Sequence, residues 1–392
     1  MEYRSSVFNV EVQVGGDYYL YNTLTSKLGQ LSDSISSLDN ISDTSIKRLF
    51  RDGFLVSDEK TVLDEYDDFF KVRSAPSKTL GILFTTTTEC DLRCGYCFEN
   101  RVKRASMNEV VFKNSIDWIV NKVQNENIEV LRLILFGGEP MLKPDIAVSL
   151  FSELNKLSES LGIRLHPYEM ITNGTFNDEE TLRRMANLGL RDVQITFDGS
   201  EVVNDKRRKS LDRAGKYRQI VDNLAVYTKY FKVTIKINFD KSTIETIEEL
   251  LNDILTVCPG IENKALVKLE PIAVYRKNGN YIYSDGSLYD PSSIDMAKSF
   301  AYAMTICKKR GFNLDLSAVF PTPCMVTQEN SYLLEPNGLL RSCISAFGMK
   351  EFYVGDVSTE VDHISREKYQ NNLADTISNG CEKKNVCISS SL

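Results

Sequence analysis

The chain has 392 residues, 42% of them hydrophobic and 26% charged, which is the composition of an ordinary folded, soluble protein with room for two or three domains. A formal net charge of -7 argues against a nucleic-acid polyanion as the main partner, and no apolar run is long enough to span a bilayer. The N-terminus, MEYRSSVFNVEV, lacks a basic-then-apolar signal pattern, so the expected location is the cytoplasm, away from the membrane.

Phe8, Val10, Val12 and Val14 alternate as on a half-buried strand, and Gly15-Gly16 supplies a hairpin turn into Tyr18–Tyr21. A polar stretch, Ser32–Thr44, leads to a short helix over Ser45–Arg51 that closes on Gly53 and is followed by apolar Phe54–Val56. Strands, a helix and a wing-like strand suggest a winged-helix-like module over residues 1–75, linked onward by the acidic segment Asp58–Asp68.

From about residue 79 a strand-then-helix rhythm begins. Strands are expected at Leu80–Thr87, Val130–Phe136, Tyr168–Thr172, Val193–Phe197, Val233–Asn238 and Leu266–Glu270. Helical stretches separate them, one opened by a capping box from Ser106 to Glu109 and another by a box from Ser242 to Glu245. Six such units argue for an α/β fold with parallel strands and right-handed crossovers, a partial (β/α)6 TIM barrel over residues 76–305. Residues 276–292 form a polar insertion, a helix carries Ile294, Ala297, Phe300, Ala301 and Met304, and residues 306–392 change rhythm.

In a reducing compartment nine cysteines read as metal ligands or buried thiols rather than disulfides. Cys90, Cys94 and Cys97, spaced Cys-x3-Cys-x2-Cys, sit directly after the first barrel strand, where a β/α barrel places its chemistry. Thiolates ligate iron–sulfur clusters, and three ligands for four irons leave one iron open to a substrate or cofactor. A zinc knuckle or three buried thiols is the competing reading, although structural zinc wants four ligands and no fourth lies nearby. The two histidines, His166 and His363, are too few and too isolated for a His-based metal site. Cys258 and Cys307 lie on predicted helices and read as buried thiols.

Each following strand ends in a short polar motif. Gly137-Gly138-Glu139-Pro140 offers close backbone approach to a ligand and a carboxylate that can accept from an ammonium group. Thr172-Asn173-Gly174 and Thr196-Phe197-Asp198-Gly199 taken alone are strand-to-loop turns, and Lys206–Lys209 taken alone is a solvated charge run. Cys324, Gly338 and Cys343 frame a hairpin, Tyr332–Leu334 turning through Pro336-Asn337-Gly338 into Leu339–Cys343.

The triad with Tyr96 just before its third cysteine resembles the signature of the radical S-adenosylmethionine (SAM) superfamily. That resemblance implies a [4Fe–4S] cluster on Cys90, Cys94 and Cys97 whose open iron is chelated by SAM, and reductive cleavage of SAM to a 5′-deoxyadenosyl radical that abstracts hydrogen. It assigns Gly137, Gly138 and Glu139 to the SAM amino group, and Thr172, Asn173, Thr196 and Asp198 to ribose or carboxylate contacts. It matches Arg208 to an arginine that pairs with the SAM carboxylate, although Asn204 stands where a His often precedes the Asp. The C-terminal hairpin resembles the opening of a SPASM extension, but Ser378 and Ser391 replace two of its cysteines. Cys324, Cys343, Cys381 and Cys387 then suffice for one auxiliary [4Fe–4S] cluster, as in a twitch domain, with an incompletely ligated cluster pair or a degenerate, cluster-free fold as the competing readings.

The whole layout resembles maturases of ribosomally made peptides, in which an N-terminal winged helix binds the leader of a precursor as an added strand. It implies hydrogen abstraction from the core peptide and a thioether or carbon–carbon cross-link, with an electron donor such as a flavodoxin or ferredoxin. The alternatives are a maturase that oxidises a protein Cys or Ser to formylglycine, as in anaerobic sulfatase maturation, and a non-catalytic iron–sulfur carrier. No residue presents itself as a catalytic base.

Overall fold

The computed structural model describes residues 3–31, 43–60, 78–272, 276–281, 294–315, 325, 328, 330–344 and 347–358, apart from 15, 23, 26, 98, 100, 101, 213, 278, 279 and 349. Most of the polar stretch 32–44, most of the acidic linker, the larger part of the insertion 276–292, and Cys324, Cys381 and Cys387 lie outside the described residues.

At the N-terminus β1 (Tyr3–Ser5), β2 (Asn9–Val14), β3 (Asp17–Asn22) and β4 (Leu28–Leu31) precede α1 (Asp43–Arg51) and β5 (Leu55–Ser57). β1 pairs antiparallel with β5. β2, β3 and β4 form an antiparallel sheet whose first hairpin turns at Gly16, with φ +89°, where a residue without Cβ carries the left-handed backbone at least cost.

The remaining elements follow the strand-helix rhythm. They are β6 (Thr79–Thr85), α2 (Glu109–Asn125), β7 (Val130–Phe136), α3 (Pro144–Leu161), β8 (Arg164–Leu165), β9 (Tyr168–Thr172), α4 (Glu179–Asn187) and β10 (Leu190–Phe197). Then come α5 (Glu201–Arg207), α6 (Tyr217–Tyr230), β11 (Lys232–Phe239), α7 (Ile247–Val257) and β12 (Ala265–Pro271). A ribbon of β13 (Arg276–Lys277) and β14 (Asn280–Tyr281), α8 (Ile294–Lys309), β15 (Asn313–Leu314), β16 (Ser331–Leu334), β17 (Leu339–Arg341) and β18 (Tyr353–Asp356) complete the described elements.

β6, β7, β9, β10, β11 and β12 lie side by side in that order, all parallel. Each neighbours the one before it in sequence, with at least one helix in every connection, which is the arrangement of a partial (β/α)6 barrel. Its two outer strands do not pair with each other: β15 continues the sheet from β12, and β16 adds parallel to β6. β16 then turns back into β17 and β18, so the C-terminal hairpin extends the same sheet from the strand that leads to the triad.

Burial along the strands shows which face the helices cover. On β11, Val233, Ile235, Ile237 and Phe239 are buried in the core shared with the helices, whereas Thr234, Lys236 and Asn238 project from the other face. That core continues into the N-terminal sheet through Val10, Val12, Val14 and Tyr21, and the Tyr21 and Phe300 rings stand 5.5 Å apart. Lys309 of α8 reaches Asp17 at 3.2 Å, so α8 clasps this sheet to the barrel.

Neither expected capping box forms. Asn108, not Ser106, caps α2, its side chain accepting from Val111 N–H at 2.9 Å, which leaves Glu109 as the first helical residue. Ser106 is drawn instead into a bridge with Thr87. At the other box Asp240 takes both the amide and the hydroxyl of Ser242, and a 3-10 turn over Ile244–Thr246 precedes α7.

Candidate active site

The loop after β6 is tied down along its length. Thr88 N–H donates to Ala105 O, Met107 N–H donates to Thr86 O, and Arg93 N–H donates to Lys209 O at 2.7 Å, while Leu92 bridges Ser210. Cys90, Cys94 and Cys97 hang from this loop, each partly buried, with Cys97 N–H donating to Cys94 O at 3.1 Å. Burial pushes all three thiols up, Cys97 to about 11 with the charge of Glu99 adding to it. Among the described residues no three Cys, His, Asp or Glu side chains close on a single metal point.

The glycines after β7 serve this loop. A Cβ on Gly138 would lie 2.2 Å from Glu89 O, and one on Gly137, whose φ is +134°, 2.4 Å from Thr87 O. Gly138 N–H donates to Thr87 O at 3.0 Å and Glu139 N–H donates to Glu89 O at 2.8 Å. The two glycines approach the triad loop itself closely, a use beyond the ligand contact expected of them from the sequence. Glu139 turns inward and is 1% exposed. Its carboxylate accepts from Thr172 Oγ1 at 2.8 Å, Asn173 N–H at 2.7 Å and Met141 N–H at 3.0 Å, fastening the end of β9 to the turn after β7.

Asn173 and Thr175 meet Asp91, the residue after Cys90. Asn173 Nδ2 donates to Asp91 Oδ1 at 2.6 Å and Thr175 Oγ1 donates to Asp91 Oδ2 at 2.8 Å. A cavity of about 240 Å³ lined by Asp91, Glu139, Met141, Thr175, Lys216 and Gln219 opens beside them, below the usual range for a whole cofactor.

A second buried network joins the triad loop to the ends of β10 and β11. Tyr96 Oη donates to Asp198 Oδ1 at 2.6 Å and accepts from Asn238 Nδ2 at 3.0 Å. Arg208 Nη1 donates to Tyr96 Oη at 3.3 Å and lies 3.5 Å from Asp198 Oδ1. Arg207 Nε stands 3.4 Å from Asp198 Oδ2, and its Nη1 pairs with Asp240 at 2.8 Å. Arg208 is only 5% exposed, so the solvated charge-run reading fails for it: Asp198, Tyr96 and Cys94 draw the guanidinium inward. Thr196 is buried near the end of β10, two residues before Asp198. Asn204 is buried too, and its Oδ1 accepts the Asp198 N–H at 3.1 Å. Asn238 escaped the sequence reading, since an Asn near a strand end carries no local signal of what it will meet.

The same face of the sheet holds further polar groups. Lys236 and Lys268 are register partners on β11 and β12, with Asn238 and Glu270 the next pair toward the site. Burial first, and then Lys236, hold the Lys268 amine below its ordinary range. Of the C-terminal cysteines Cys343 is described, buried two residues after Arg341, whose guanidinium forms a 2.8 Å ion pair with Glu335. Cys307 is buried in α8 and Cys258 is half-buried at the end of α7.

The donor set suits an iron–sulfur cluster that leaves one iron for SAM. It is sulfur only, on one anchored loop, and the buried guanidinium beside Cys94 keeps an Nε without a hydrogen-bond partner. A buried cation with a spare donor is what an anionic ligand next to the triad requires.

Comparison with known proteins agrees. Residues 84–254 match the model of the Radical SAM superfamily. A cysteine-type anaerobic sulfatase-maturating enzyme of Clostridium novyi is 26% identical over 162 residues, 39% of this chain and 41% of that relative, so this chain spans less than half its length. Among solved structures, native anSMEcpe with bound AdoMet and Cp18Cys peptide is similar with a TM-score of 0.56 at 14% identity, over 81% of this chain and 84% of the other. Streptococcus suis SuiB bound to precursor peptide SuiA is similar with a TM-score of 0.51 at 16% identity, over 93% of this chain and 88% of the other. At such identities the structures speak for the fold alone, and it is the family match that makes residues 84–254 of this chain a radical SAM domain.

Proposed function

We propose that the protein is a radical SAM maturase that takes hydrogen from a ribosomally made precursor peptide and closes a thioether or carbon–carbon cross-link. The observation that carries this reading is the N-terminal sheet. Among the described residues β4 is an edge strand paired only with β3, and the sheet is clasped to the barrel by α8. An open edge offers backbone donors and acceptors to an added strand, and so suits a leader segment. The likeness to SuiB, which was solved with a precursor peptide, spans 93% of this chain.

When bound, a [4Fe–4S] cluster and SAM supply the radical chemistry. Cys90, Cys94 and Cys97 would hold the cluster. Arg208, Asp198 and Tyr96 would receive the polar groups of SAM, with Thr196 beside them, while Gly137, Gly138, Glu139, Thr172 and Asn173 hold the surrounding loops. Cys343 with Cys324, Cys381 and Cys387 would hold one auxiliary cluster in a C-terminal domain over 306–392. Residues 1–75 would bind the leader, and a flavodoxin- or ferredoxin-like protein would deliver the electron.

The test is anaerobic reconstitution followed by incubation with SAM, dithionite and the peptide encoded by a short open reading frame beside the gene. The expected result is 5′-deoxyadenosine and a peptide lighter by two hydrogens, with fragmentation locating a cross-link. A formylglycine at a Cys or Ser would support the sulfatase-maturase reading that the Clostridium novyi relative favours. Absence of 5′-deoxyadenosine overturns both.

A further inference from the structure

Two N–H groups and one carboxylate converge on the sulfur of Cys90. Leu92 N–H donates to Cys90 Sγ at 3.4 Å, and Asn173 Nδ2 donates to it at 3.8 Å. Asp91 Oδ1 lies 3.8 Å from the same sulfur and 2.6 Å from the same amide nitrogen. The amide therefore sits between a sulfur and a carboxylate that both attract its protons.

Its orientation is fixed from behind. Asn173 Oδ1 accepts from Thr175 N–H at 2.9 Å, and Thr175 Oγ1 stands 2.8 Å from both Asn173 Oδ1 and Asp91 Oδ2. A flipped amide would put its NH2 group against the Thr175 N–H and its oxygen against the Asp91 carboxylate, two repulsive pairs in place of two hydrogen bonds. Asn173 is also buried, so water does not compete for the amide.

We propose that Asn173 and Asp91 set the reduction potential of the cluster held by Cys90, Cys94 and Cys97, Asn173 as a hydrogen-bond donor to the Cys90 sulfur and Asp91 as the group that aims it. The proposal rests on the radical SAM reading of the triad and not on the identity of the substrate. An electron added to the cluster increases the negative charge on its sulfurs. A donor to sulfur stabilises that reduced state and raises the potential, whereas a carboxylate close to the same sulfur opposes the added charge. Both residues are positioning residues, and they act with opposite sign.

The full chain, reconstituted anaerobically with iron and sulfide, is titrated with dithionite while the reduced cluster is followed by electron paramagnetic resonance. Asn173→Ala is expected to move the midpoint of the triad cluster to more negative potential. Asp91→Asn keeps an oxygen for Asn173 Nδ2 and can donate to Thr175 Oγ1, so it is expected to move the midpoint to more positive potential. Iron per chain is measured alongside, because a merely structural role would lower occupancy without opposed shifts. Unmoved midpoints, or shifts of the same sign in both variants, overturn the proposal. Where Asn173→Ala fails to hold iron, Thr175→Val, which spares the amide but loses the hydroxyl that orders it, is titrated instead. A shift to more negative potential there supports the proposal and an unmoved midpoint overturns it. Absence of any cluster from the wild-type protein overturns the radical SAM reading together with the proposal.

Discussion

Glu139 shows how far a single carboxyl group can be removed from its ordinary chemistry. Three donors hold it, yet burial outweighs them and lifts its acid up to about 7. The folded chain thus binds this proton more tightly than the unfolded chain, where a glutamate titrates near 4.3. Stability is greatest below the unfolded value, falls as pH rises through the window up to about 7, and levels off above it. A shift from 4.5 to about 7 is worth on the order of 3 kcal/mol across that window. Glu139→Gln is expected to lose stability at low pH, because one acceptor becomes a donor, but also to lose most of this decline. Urea denaturation of the metal-free protein at about pH 5 and about pH 8 measures both slopes, and the difference between wild type and variant isolates this group from others that titrate. A variant with the full wild-type decline would show that Glu139 is ionised at no special cost.

At the scale of elements, the backbone turn that Glu139 opens has an equally strict demand. A Cβ on Gly138 would fall 2.2 Å from the Glu89 carbonyl, so Gly138→Ala must push the triad loop away from β7. Iron uptake is expected to drop several-fold. Gly162→Ala is the control: at the end of α3 it has φ +67° and open space around it, so it should cost about 1 kcal/mol of stability and leave iron uptake unchanged. Equal iron in both variants would mean that the loop tolerates the displacement. The six parallel strands were legible because apolar, β-branched runs such as Val130–Phe136 need no distant partner to declare themselves. The triad was legible for the same reason, as a local spacing. What Gly138 and Arg208 touch was not legible, because their partners, Glu89 and Asp198, are fixed only once separate loops meet. Helix starts failed similarly: Asn108 and Ser106 are both good capping residues, and a bridge from Thr87 decided between them.

Across the whole molecule, the barrel carries one addition on each side. The N-terminal sheet packs on α8, where Tyr21 meets Phe300, and the C-terminal hairpin joins β6 through β16, with Leu333 and Leu334 beside Leu83 and Phe84. β6 therefore links the triad loop to Cys343, because its own end leads to Cys90 and its neighbour's hairpin leads to Cys343. If Cys343 ligates an auxiliary cluster, the two sites share a strand pair but no ligand, and they should be separable by iron count and by chemistry. Wild type is then expected to bind about eight irons per chain, and Cys343→Ala and Cys90→Ala about four each. Only Cys90→Ala should abolish reductive cleavage of SAM to 5′-deoxyadenosine, since Cys343 lies outside the triad. Cys343 is buried, so its replacement by Ala removes a small side chain and is not expected to unfold the hairpin, which the buried Glu335–Arg341 pair also holds. About four irons in wild type, undiminished in Cys343→Ala, would reduce the C-terminal region to a scaffold and leave the triad as the one cluster site.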